Sequence, residues 1–180
     1  ATTATINTIA SSEILSKVES LVLLELHERI TIPSLLNNAE SWVLNKTETD
    51  EIERIEIQAL KSLFRLPIQT PNVAVIYNFG TLYTKQRIDQ KQLLYLYKIL
   101  NRPQSHWTQK TFGILTGLNI GWAKNINSLL TDYKLTTNLM EIENMTRLHW
   151  SRKVKTSIET KHKERLREQC YKKINWEELA

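Results

Sequence analysis

Residues 146–173 read TRLHWSRKVKTSIETKHKERLREQCYKK. Ten of them are Lys or Arg: Arg147, Arg152, Lys153, Lys155, Lys161, Lys163, Arg165, Arg167, Lys172 and Lys173. Three are acids (Glu159, Glu164, Glu168), so the stretch carries +7 and reads as one long helix. Its apolar residues are unusual. Trp150, Val154, Ile158, Leu166 and Cys170 fall at multiples of four, with His162 filling the gap. A step of four overshoots a full turn by about 40°, so this stripe spirals around the helix. It is also thin. Such a helix is expected to touch the body at one end and project at the other, or to meet a partner.

Outside this stretch the charge vanishes. Residues 1–145 hold fourteen bases and fourteen acids, and the last seven residues add −2 from Glu177 and Glu178. The chain total of +5 therefore comes from one basic helical end. A neutral body with a basic helix points to a polyanionic partner, nucleic acid first.

Few turn residues interrupt the remainder. Four Gly and four Pro in 180 residues favour long helices over many short strands. The expected fold is all-α, a helical bundle of seven to nine helices with a long basic C-terminal helix. Residues 12–30 read as the first helix, with Ser12 as its cap and Ile14, Leu15, Val18, Leu21, Val22, Leu26 and Ile30 at helical spacing. Pro33 suits the first turn of a helix over 33–45. Thr47 reads as an N-cap with Asp50 three residues on. Behind it Ile52, Ile55, Ala59, Leu60 and Leu63 form the clearest amphipathic stripe. Pro67 and Pro71 break the chain, a short helix follows and Gly80 caps it. Helices are further expected over 82–101, 105–116, 122–133 and 138–145. Gly113, Gly117 and Gly121 read as helix ends and turns. Residues 1–101 are expected to form one bundle and 102–180 a helical extension.

Catalytic patterns are missing. Asp50 and Glu51 belong in a helix first turn, and Glu177 and Glu178 sit at the chain end, so neither pair reads as a metal-holding site. His27, His106, His149 and His162 show no ligand spacing with one another or with Cys170. The lone cysteine excludes an internal disulfide. No apolar run approaches the ~20 residues that span a bilayer. Trp107, Trp122 and Trp150 stand among polar residues, where each could stack on a base or pack between helices. A second, smaller basic cluster is Lys85, Arg87 and Lys91.

A family resemblance sharpens this. Residues 32–44 (IPSLLNNAESWVL), 53–66 (ERIEIQALKSLFRL), 67–80 (PIQTPNVAVIYNFG) and 85–101 (KQRIDQKQLLYLYKILN) resemble the helical segment that follows the polymerase palm in non-LTR (LINE-type) retrotransposon endonuclease–reverse transcriptases. A looser likeness continues through 119–135 (NIGWAKNINSLLTDYKL) and 145–173. The resemblance implies the thumb and post-thumb helices of a polyprotein whose parent activity is RNA-directed DNA polymerisation. Thumb helices there grip the template–primer along its backbone. The family's adjacent palm aspartates, its Cys/His zinc knuckle and its nuclease segment have no counterpart in this chain.

The expected function is therefore non-catalytic binding of RNA, DNA or RNA–DNA hybrid, with no cofactor, no metal and no membrane. The remaining domains of the parent polyprotein are further expected partners, and an intracellular setting, nuclear and cytoplasmic, is expected. Phosphate contacts are expected at Lys153, Lys155, Lys161, Lys163, Arg165, Arg167, Lys172 and Lys173, then at Lys85, Arg87 and Lys91. The alternative is a helical protein–protein interaction module whose basic helix docks on an acidic partner.

Overall fold

The computed structural model describes residues 20–177, and among these every regular element is helical. Eight helices follow in order. Helix α1 comprises Ser20–Leu26, a π-helical turn His27–Thr31 and a last turn Ile32–Leu35. Then come α2 (Lys46–Leu63), α3 (Asn72–Phe79), α4 (Thr84–Leu100), α5 (Trp107–Leu118), α6 (Gly121–Asp132), α7 (Leu139–Asn144) and α8 (Arg147–Glu177). The all-α expectation holds, as does the long basic helix at the C-terminal end. The expected Ser12 cap and the apolar positions before Ser20 lie outside the described residues.

Two compact units form, and they interleave along the chain. The first takes residues up to Asn37, Asn45–Thr84 and the chain from Gln169 onward. The second takes Asn38–Leu44 and Lys85–Glu168. No single cut in the sequence separates them.

In the first unit the N-terminus of α2 departs from the expected cap. Asn45, not Thr47, is the N-cap: its side-chain oxygen accepts from Glu48 N at 3.0 Å, and Glu48 Oε2 accepts from Asn45 N at 2.8 Å. This reciprocal box uses the longer Glu and satisfies two otherwise free N–H groups. The helix expected over 33–45 is also shorter. It ends at Leu35, and Asn38 enters the left-handed region at φ 56°. Ile57, Ala59, Leu60 and Leu63 bury the inner face of α2, and Phe64 stacks on Phe79 at 4.0 Å. Lys61 is buried as well, its ammonium donating to Ile68 O (3.0 Å) and Asn72 Oδ1 (2.8 Å). Gly80 caps α3 at φ 61°, as read from the sequence.

The second unit is built around α4. Ile88, Leu93, Leu96, Ile99 and Leu100 are buried, together with Phe112, Ala123, Ile126, Leu129, Leu130 and Ile142. Gln92 donates to Trp42 O (2.7 Å) and accepts from Asn125 Nδ2 (2.7 Å), while Trp122 Nε1 donates to Glu40 O (2.8 Å). These bonds tie the 38–44 segment, which opens with a 3-10 turn at Ala39–Ser41, to α4 and α6. Gly117 falls in the last turn of α5 and Gly121 opens α6 at φ 54°, both at helix ends as expected, whereas Gly113 lies in the middle of α5.

The spiralling stripe of α8 is buried over its first half, and Leu166 and Cys170 beyond it are half-buried. Trp150 and Val154 are 0 % exposed, Ile158 1 % and His162 8 %. Trp150 Nε1 donates to Leu93 O at 2.9 Å. A thin stripe suffices here because a tryptophan contributes a large apolar area and its one polar atom is bonded.

Candidate nucleic-acid interface

The site lies in the second unit, where α6 ends against α8. Helix α6 stops at Asp132. Lys134 follows with φ 53°, Lys134 N donates to Thr131 O, and Leu135 N donates to Leu130 O at 2.8 Å. This left-handed closure normally favours glycine. Two carbonyls at the helix end are taken by α8: Ser157 Oγ donates to Tyr133 O, and Lys161 Nζ donates to Asp132 O at 3.0 Å. A cation at a helix C-terminus also meets the negative end of the dipole. The Lys161 ammonium sits 4.8 Å from the centre of the Tyr133 ring.

Beneath this junction Tyr133 is buried and its hydroxyl donates to Asp89 Oδ2 at 2.7 Å. Lys85 Nζ reaches the same oxygen at 2.7 Å. Burial, and then the Asp89 carboxylate, push the Tyr133 phenol far above its ordinary ionisation range. His162 Nδ1 stands 2.8 Å from Gln86 Oε1. Burial first, then Arg165 and Arg87, hold the His162 pKa below its ordinary value, so the ring is neutral and donates to Gln86.

Above the junction an open groove of about 640 Å³ runs along α8. One wall is the end of α6 and its link, including Lys134 and Thr136. The other is α8, with His149, Arg152, Lys153, Thr156, Ser157, Thr160 and Lys161. Lys134, Arg152, Lys153 and Lys161 face two acids, Asp132 and Glu164. A smaller cavity of about 230 Å³ shares Asp132, Tyr133, Lys161 and Glu164 and adds Lys85, Asp89, Arg165 and Glu168. Acids outnumber bases in it, so the positive groove is the larger one.

The expected phosphate-binding residues divide into three groups. Lys153, Lys163 and Arg167 are exposed and form no ion pair with any described residue. Lys155 is exposed and 3.9 Å from Glu159, a contact worth little at that exposure. Arg152 joins them: spacings of eleven and four put Arg152, Lys163 and Arg167 within about 60° of one face of α8. The second group is turned to internal use. Lys161 holds the end of α6, Lys85 pairs with Asp89, and Arg87, Lys91 and Arg165 are half-buried and each engaged with another group. Lys172 and Lys173 lie in the last turns of α8, and their side chains fall outside the described ones.

Lys134 and Arg152 were not among the expected contacts. Arg152 sits in the basic stretch itself, while Lys134 comes from thirteen residues before Arg147 and joins it only through the fold. The partition of charge was equally hidden. The second unit holds sixteen Lys/Arg against eight Asp/Glu, and the rest of the chain eight against eleven. The apparent neutrality of residues 1–145 averages over both. Among the described residues no three of His, Cys, Asp or Glu converge to hold a metal ion, and no helix is long and apolar enough to cross a membrane. No protein-family model, curated protein or solved structure matches the chain.

Proposed function

We propose that this chain is a non-catalytic nucleic-acid-binding module that grips backbone phosphates along the α6–α8 groove and the exposed face of α8. The observation that carries this reading is the groove itself, with Lys134, Arg152 and Lys153 on its walls and the Thr156 hydroxyl between them. Flexible cations and hydroxyl groups with no base-shaped cleft suit phosphate contact, which fixes position but reads no sequence. The likeness to the helices after a retrotransposon polymerase palm gives the biological setting. There the module would hold template–primer, as RNA, DNA or hybrid, beside the remaining domains of a polyprotein in the nucleus and cytoplasm.

The alternative, a protein-docking helix, draws its appeal from the Trp150–Cys170 stripe. That stripe is already buried from Trp150 to His162, so over that span it offers no docking face.

The test is fluorescence anisotropy of labelled duplex DNA, RNA–DNA hybrid and single strands across a salt series. Each phosphate contact contributes a slope of about −0.9 in log affinity against log salt on duplex DNA. Combined replacement of Arg152, Lys153, Lys163 and Arg167 by Glu should abolish binding without unfolding the chain, since all four are exposed. Unchanged affinity in that variant sinks the reading.

A further inference from the structure

Trp107 stands apart from the tryptophans around it. Trp150 is fully buried, and Trp42 and Trp122 are half-buried, whereas Trp107 is 70 % exposed at the start of α5. Its ring is not loose. It stacks on His106 with centroids 6.0 Å apart and an interplanar angle of 26°. His106 is fixed in turn. As the N-cap of α5 its Nδ1 accepts from Thr108 N at 3.2 Å. Arg102 Nη1 donates to Thr108 Oγ1 at 3.0 Å, which holds that neighbour in place. The indole thus has a held ring beside it and most of its surface open.

The sequence around it is basic. Residues 90–131 contain no Asp or Glu and five bases: Lys91, Lys98, Arg102, Lys110 and Lys124. Lys98 and Lys110 are exposed. An exposed aromatic ring in a basic stretch of chain is what a base needs for stacking while its phosphate is held electrostatically. Only an unpaired base can offer its face, because bases in a duplex are already stacked on their neighbours.

We propose that Trp107 is a stacking platform for an unpaired base, so that the chain binds single-stranded nucleic acid through a contact that duplex cannot make. This rests on the nucleic-acid reading above and adds a second binding mode to it. The probes are a labelled short oligothymidylate and a hairpin duplex whose loop is a non-nucleotide linker, titrated with the full chain. Wild-type tryptophan emission should be quenched by the oligothymidylate. Trp107→Leu should bind it about fivefold or more weakly, lose that quenching, and bind the hairpin unchanged. Trp107→Phe should recover most of the affinity, and both variants should melt as wild type does. Undiminished oligothymidylate binding by Trp107→Leu overturns the proposal. If salt-sensitive hairpin binding persists in that case, the groove stands and Trp107 falls to a protein contact, shared with the exposed Ile114 and Leu118 on the same face of α5. If the wild-type chain binds neither probe, both readings fall together.

Discussion

His27 and His162 are both buried, one in each unit, and their surroundings differ. His162 donates to Gln86 at 2.8 Å, so its ring nitrogen keeps the partner that water would have given. His27 Nε2 is 3.7 Å from Glu56 Oε1, too far for a hydrogen bond, and has no other partner. Glu56 accepts instead from Thr84 Oγ1 through its other oxygen. The charge contrast runs alongside. The second unit is strongly basic and carries the groove, while the rest of the chain leans acidic. A region that concentrates like charge on its surface must hold together through apolar packing and satisfied buried polar groups, since its surface charges repel. The second unit does this through Trp150, Asp89–Tyr133 and Gln86–His162.

The sharpest way to break that contrast is Trp150→Ala. Removing a fully buried indole bonded to Leu93 O should cost about 3–5 kcal/mol, read from urea unfolding. A loss below about 1 kcal/mol would mean that α8 is not packed into the second unit at all. The two histidines give the next largest effect. His162→Leu leaves the Gln86 carbonyl without its donor and should cost about 1–3 kcal/mol, whereas His27→Leu should cost less because no hydrogen bond is lost at Nε2. Equal costs would erase the distinction.

His162 also sets a pH dependence. His162 has a folded-state pKa below its unfolded value, so the unfolded chain binds the extra proton first. Its contribution is complete above about pH 6.5 and declines as pH falls from there towards the folded pKa. Urea midpoints should therefore drop on acidification, and His162→Leu should remove part of that drop.

A smaller effect separates stability from binding. Lys134→Gly relieves a left-handed residue and should stabilise the fold by about 0.5–1 kcal/mol. It should also weaken binding and reduce the salt slope by about 0.9. Smallest of all is the control in the other unit. Arg54→Glu and Arg65→Glu, both exposed, should leave duplex affinity unchanged. A loss comparable to that of the groove variants would refute the confinement of binding to the second unit.

Much of the helical layout was legible because it is local. The breaks at Pro67 and Pro71, the cap at Gly80 and the apolar spacing of α2 and α4 each depend on neighbours a few residues away. The basic helix was legible for the same reason. The fate of its stripe was not, because whether Trp150 is core or docking surface depends on the Leu93 carbonyl, fifty-seven residues earlier. The cap of α2 was missed by two residues because Thr47–Asp50 and Asn45–Glu48 both fit the spacing, and only the longer Glu closes the box. The groove was half visible. Its α8 wall is a run of cations in sequence, while Lys134 is brought there by the turn after α6.

The line from Trp150 to His162 also makes α8 a gauge of local opening. Trypsin cuts after Lys and Arg but needs the backbone extended, so each base along this helix marks a place where unwinding becomes visible as a cleavage. Sites between Arg152 and Lys161 are shielded by the buried stripe on either side of them. Those after Lys163 and Arg167 lie past its last fully enclosed residue. Brief digestion should therefore shorten the chain from its far end inward, and the point at which shortening stalls would mark where the helix becomes part of the core.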